Sequence, residues 1–123
     1  MTKKALTVDD SKTMRDMISF TLKNVGFEVL EAEDGKHAVT VIGDNKVDVI
    51  ITDLNMPNMN GLELIKALRA NPVHKFTPIL MVTTESDESK KSEGKNAGAT
   101  GWIVKPFNPE KLIQVVNKVC QTG

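Results

Sequence analysis

The chain has 123 residues, a size that suits one domain burying roughly two thirds of the surface its unfolded form exposes. Sixteen basic residues balance sixteen acidic ones, so no overall field draws it to nucleic acid or an anionic membrane. Met1-Thr2-Lys3-Lys4 leads into a short apolar run, far below the length of a signal-peptide core or a membrane span. The single cysteine, Cys120, has no internal disulfide partner, and no Cys/His cluster has zinc spacing. The expectation is a cytoplasmic, single-domain protein over residues 1–123 that engages neither nucleic acid nor membrane.

Apolar runs alternate with helical patterns along the whole chain. Ala5-Leu6-Thr7-Val8 reads as a strand. Met14, Met17, Ile18, Thr21, Leu22 and Val25 then recur at steps of three and four, the stripe of an amphipathic helix that Gly26 stops. Phe27 to Ala32 reads as a second strand, followed by a short helix from about Lys36 to Ile42. Val47 to Thr52 is the third strand, and its β-branched run suggests burial on both faces, as in a parallel sheet. Leu62, Ile65 and Leu68 mark the third helix, Pro78 to Thr83 the fourth strand and Trp102-Ile103-Val104 the fifth. Leu112, Val115, Val116 and Val119 line a last helix with Pro109 near its first turn. Such alternation predicts an α/β fold, a parallel sheet covered by helices on both sides, with ligands beyond the carboxyl ends of the strands.

The residues that end these strands are therefore the informative ones. Strand 1 ends in Asp9-Asp10, strand 3 in Asp53, strand 4 in Thr83-Thr84 and strand 5 in Lys105-Pro106. Each has an ordinary explanation: Asp9, Asp10 or Ser11 could cap the first helix, Asp53 could open a turn, and Lys105 could be a solvated tip. Together these explanations require coincidence at four separate strand ends. Two unit charges about 4 Å apart repel by roughly 4 kcal/mol at an effective dielectric of 20. Clustered carboxylates therefore need a cation or must take up protons. A few hard oxygen ligands suit a magnesium ion that keeps several waters. A carboxylate can attack a phosphoryl group, and phosphoryl transfer is then mostly positioning and charge neutralisation.

"TVDDS", "ITDLNMPNMNG", "MVTTE" and "GWIVKPF" resemble, in order and spacing, the motifs of response-regulator receiver domains, most closely the stand-alone chemotaxis (CheY-like) type. The resemblance covers essentially the whole chain. It implies a flavodoxin-like, doubly wound, five-stranded parallel sheet in order 2-1-3-4-5 with five helices. It implies Asp53 as phosphoacceptor, with a phosphohistidine of a CheA-like histidine kinase as donor. Magnesium (Mg2+) would be held by Asp10, Asp53 and the Asn55 carbonyl, with Asp9 acting mainly through a water. Lys105 would pair with the phosphoryl oxygens, and Thr83 would donate its hydroxyl and move inward. The Lys105–Pro106 bond is expected to be cis, against a base rate of about 5–6% for bonds preceding proline. Asn55 and Glu85 resemble the pair found in chemotaxis members with short-lived acyl phosphates. A flagellar motor switch protein is the implied target, a phosphatase a further partner, and the monomer the implied state.

Two positions depart from the family pattern. Trp102 stands where many relatives carry Tyr or Phe, so a ring that swings inward needs more room. Thr84 replaces a smaller residue and would narrow access to Asp53. Residues 85–96, "ESDESKKSEGKN", contain no apolar side chain and include Gly94. Helices are stabilised mostly by packing an apolar face, and an interior Gly costs about 1 kcal/mol against Ala. The fourth helix is thus expected to be the least stable of the five, either as a solvated helix lying close to the sheet or as an element that phosphorylation reorganises. His37 and His74 read as solvated, Met56 and Met59 as residues that could border the site, and Cys120 as a small apolar residue of the last helix.

The leading reading is a phosphorylation-activated signalling switch, not a turnover enzyme, whose output is binding through the helix 4–strand 5–helix 5 face. A phosphorelay shuttle or a non-flagellar chemosensory regulator is the alternative. From another class, an aspartate-nucleophile phosphatase would also use Asp, Thr, Lys and magnesium. Such enzymes carry Asp-x-Asp on the first strand and usually an inserted cap, whereas here strand 1 ends Asp-Asp and the lone nucleophile candidate lies on strand 3.

Overall fold

The structure is a computed structural model, and residues 3–54, 56, 58–84 and 88–120 are described. Five strands and five helices alternate: β1 (Lys3–Val8), α1 (Lys12–Asn24), β2 (Phe27–Ala32), α2 (Gly35–Ile42), β3 (Val49–Asp53), α3 (Gly61–Arg69), β4 (Ile79–Thr83), α4 (Glu88–Ala97), β5 (Gly101–Val104) and α5 (Pro109–Cys120). All strand pairs are parallel, in the order β2-β1-β3-β4-β5. This is the flavodoxin-like arrangement expected from the motifs.

The sheet separates two cores. One face packs Leu6, Ile50, Ile79 and Met81 against Ala38, Ile42, Leu64, Ile65 and Leu68 of α2 and α3, with Ala97 of α4 at its margin. The other packs Ala5, Val49, Ile51, Leu80 and Val82 against Ile18 and Leu22 of α1 and Leu112 and Val116 of α5. Every residue of β3 and β4 is buried, which explains why neither shows an alternating pattern. Gly26, at a φ of 94°, follows α1 and permits the reversal into β2 that a side chain would resist.

One expectation is corrected here. His74 is not solvated: it is fully buried, and its Nε2 lies 2.8 Å from the Gly43 carbonyl oxygen, tying the α3–β4 connection to the end of α2. Met59 packs close to Gly35, where an added Cβ would lie 2.7 Å from Met59 Cβ, and both Met56 and Met59 are partly buried against the core. His37 is exposed as expected, with Nδ1 accepting from the Glu33 amide at 3.2 Å. Cys120 is partly buried and its Sγ lies 3.7 Å from the Asp48 carbonyl oxygen; burial pushes its thiol pKa up.

Candidate functional site

The carboxyl ends of β1, β3 and β4 and the residue after β5 meet at one rim. Parallel pairing in register delivers them: Val8 lies beside Thr52, Asp53 beside Val82, and Thr83 beside Val104. The Lys105 amide donates to the Thr83 carbonyl at 2.7 Å, so lysine and threonine arrive at the same level. Asp9, Asp10 and Asp53 each place a carboxylate oxygen within 4.8 Å of the others. Lys105 Nζ sits 3.4 Å from Asp53 Oδ1 and 3.5 Å from Asp9 Oδ2.

Helix capping, the ordinary explanation for the Asp9-Asp10-Ser11 run, is performed by Ser11. Its Oγ accepts from the Met14 amide at 3.3 Å. Asp9 Oδ1 takes the Ser11 amide at 2.8 Å, holding this carboxylate inward with 1% exposure. Among the described residues Asp9 Oδ2 is buried with no hydrogen-bond partner, and its compensation is the ammonium of Lys105. Asp10 is exposed and stays open to solvent at the edge of the cluster.

Asp53 is largely buried at the end of the central strand. Burial raises its carboxyl pKa and the Asp9 charge raises it further, while Lys105 and the Leu54 amide oppose both. Its Oδ1 accepts from the Leu54 amide at 2.9 Å and lies nearest Lys105, so one oxygen is committed to the protein. Among the described residues no hydrogen bond reaches Oδ2. An Asp9 oxygen that has an ammonium nearby but no hydrogen bond among the described residues, a disfavoured Asp53 charge and a solvent-facing Asp10 form a hard-oxygen set that fits a divalent cation.

The other expected residues fall around this centre. Thr83 is buried at the end of β4, and Thr84 beside it is exposed. Trp102 is 37% exposed on β5, facing outward, with Lys91 Nζ of α4 5.4 Å from its ring centroid. The Lys105–Pro106 bond is cis, and Pro106 is exposed. Trp102, Val104, Pro106, Phe107 and Lys111 line a shallow groove of about 570 Å³ along β5 and the start of α5. Asn55 and Glu85 lie outside the described residues.

Sequence reasoning missed three polar anchors. Arg15 donates from Nη1 to the Asp9 carbonyl at 2.7 Å and pairs through Nε with Glu31 at 3.2 Å, bracing the β1–α1 turn. Its position one turn into α1, after an Asp-Asp pair, was the available signal. Asp34 caps α2 and also binds Asn58 across the rim. Arg69 donates to the carbonyls of Gly98, His74, Lys75 and Thr77, which no local pattern announces.

The domain is thus a doubly wound α/β sheet with three carboxylates and a lysine gathered at its carboxyl edge. Residues 5–117 match the response regulator receiver domain family. The chain is 47% identical to a chemotaxis protein CheY homolog of Campylobacter jejuni, covering 98% of this chain and 94% of that one. It is 46% identical to chemotaxis protein CheY1 of Helicobacter pylori, covering 98% of each. The solved structure of chemotaxis response regulator CheY4 of Vibrio cholerae superposes with a TM-score of 0.93 at 51% identity, covering 97% of this chain and 99% of that one. The chain belongs to the response regulator receiver domains and is similar to their CheY-type members.

Proposed function

We propose that this chain is a phosphorylation-activated switch of a two-component chemotaxis system, with Asp53 as the phosphoacceptor. The observation that carries this reading is the convergence of Asp9, Asp10 and Asp53 within 4.8 Å, with Lys105 bridging the two buried carboxylates. The names of the similar proteins place them in chemotaxis and supply the pathway.

An Asp53 carboxylate oxygen attacks phosphorus, the new P–O bond forms as the P–N bond to a donor imidazole breaks, and the electron pair leaves with the imidazole nitrogen. Oδ1 is engaged by the Leu54 amide and Lys105, so Oδ2 is the attacking atom this geometry favours. Lys105 favours the ionised nucleophile and lies where it can follow the incoming phosphoryl oxygens. Asp9, Asp10 and Asp53 would hold Mg2+, which supplies charge neutralisation and orientation for the transferred group. Thr83, buried at the adjacent strand end, is the hydroxyl in position to turn toward a phosphorylated Asp53.

The proposed output is a change in partner binding on the face of α4, β5 and α5, where Trp102 and the groove beside it lie. A CheA-like kinase would donate, and a flagellar motor switch protein would receive the signal from a cytoplasmic monomer. No helix among the described residues is long and apolar enough to cross a membrane. The test is intact-mass analysis after exposure to a small phosphodonor with Mg2+. One phosphoryl group should add to the wild type and none to Asp53→Asn; no gain, or equal gain in both, removes the reading. A pull-down with and without a phosphoryl mimic then separates motor control from relay to another histidine protein.

A further inference from the structure

Gly61, at the start of α3, lies directly against the end of the strand that carries Asp53. The Gly61 amide donates to the Leu54 carbonyl at 2.9 Å. A Cβ on Gly61 would collide with the Asp53 carbonyl oxygen, so the start of α3 rests on the acceptor's own peptide. Asn58, in the loop between β3 and α3, is held by a different element. Asn58 Nδ2 donates to Asp34 Oδ2 at 3.0 Å, while Asp34 Oδ1 accepts from the His37 amide at 2.8 Å and caps α2. The two oxygens thus do separate work, one for the helix and one for the loop.

Asn58 has a φ of 68°, in the left-handed region that asparagine enters more readily than other side-chain-bearing residues but that still favours glycine. Its side-chain tie to Asp34 is the restraint the structure shows. Both hydrogen bonds hold the Asp34 carboxyl below the usual carboxylate range, so the tie's acceptor is charged at neutral pH. Asp34 itself begins just beyond Ala32, whose carbonyl accepts from the Asp9 amide at 3.1 Å. The strut therefore joins the Asp9 side of the rim to the Asp53 side.

We propose that Asp34 is a positioning residue for phosphorylation: through Asn58 it holds the loop behind Asp53 and so sets the rate at which Asp53 accepts a phosphoryl group. The proposal rests on Asp53 being the phosphoacceptor. Asp34→Ser keeps a capping oxygen but cannot reach Asn58, whereas Asp34→Asn keeps both the cap and an amide able to bond the Asn58 amide. Asn58→Gly keeps the left-handed backbone without strain and removes only the tie.

With a small phosphodonor and Mg2+, Asp34→Ser and Asn58→Gly should each slow phosphorylation about tenfold, the lower end of what outer partners of a metal-binding carboxylate contribute. The double variant should be no slower than either, because both cut one strut. Asp34→Asn should restore most of the rate. Without any phosphodonor, exchange of the Gly61 amide should quicken in Asp34→Ser and Asn58→Gly but not in Asp34→Asn. Single variants that label at the wild-type rate, or a double variant whose slowing is the product of the two, would overturn the inference while leaving Asp53 as acceptor. A wild type that takes up no phosphoryl group overturns both.

Discussion

Two neighbouring strand–helix units face the same rim and are built differently. The unit of β3 and α3 carries Asp53 and then a helix closed by a reciprocal capping box, in which Asn60 accepts from the Glu63 amide at 2.9 Å and Glu63 accepts from the Asn60 amide at 3.1 Å. Leu64, Ile65 and Leu68 bury the apolar face of that helix. The unit of β4 and α4 carries Thr83 and then a helix whose buried positions among the described residues are Gly94 and Ala97. Gly94 lies so close to β4 that an added Cβ would come 2.6 Å from Met81 Cε. The expectation that α4 lies against the sheet on small residues is met. The difference teaches that the proposed acceptor is followed by a capped helix with a buried apolar face, while the proposed reporter is followed by a helix with little area to lose when it shifts.

The largest expected effect tests that contrast directly. Ile65→Ala should cost about 3 kcal/mol in urea unfolding, as large-to-small core changes do. The nearest equivalent in α4, Ala97→Gly, should cost about 1 kcal/mol. Equal costs would break the comparison. Next, Mg2+ at about a hundredfold over its dissociation constant should raise stability by about 2.7 kcal/mol. That gain should vanish in Asp10→Asn; a gain that survives would place the ion elsewhere.

The third prediction concerns pH. A carboxyl whose folded-state pKa is raised binds its proton more readily folded than unfolded. The stability it contributes is complete below the unfolded value near ~3.9 and is lost as pH rises through the raised one. In Mg2+-free buffer Asp53→Asn should therefore be more stable than the wild type at neutral pH. The advantage should shrink as pH falls through the raised value and disappear below ~3.9. A less stable variant at pH 7 would mean that Lys105 outweighs burial and Asp9.

The smallest effects lie in α4. Ser92→Ala, at an exposed helical position, should gain about 0.5 kcal/mol. Gly94→Ala should lose about 1 kcal/mol despite its better helix propensity, because buried Met81 must move. Amide exchange should be fastest in α4 among the helices and should change with a phosphoryl mimic on Asp53. Strong protection across α4, unaltered by the mimic, would remove the idea that this helix is the weak, responsive element.

How much of this could be read along the chain depended on the range of the forces involved. The strands, the helices and the convergence of Asp9, Asp10, Asp53, Thr83 and Lys105 were legible because periodicity and strand ends are local, and parallel topology brings those ends together. The family resemblance supplied the strand order and the cis bond before Pro106. His74 was misjudged because its neighbours in sequence are polar while its partner, the Gly43 carbonyl, is contributed by another connection. Asp34 and Arg69 escaped notice for the same reason, since a hydrogen bond between segments distant along the chain leaves no spacing in the sequence. Tertiary structure alone decided that Ser11 takes the cap and leaves Asp9 buried with one oxygen to Lys105. It alone decided that Trp102 faces outward beneath Lys91. Composition and pattern specify which groups a chain can bring to a surface; which of them are desolvated, and against what, is settled only when distant segments exclude water together.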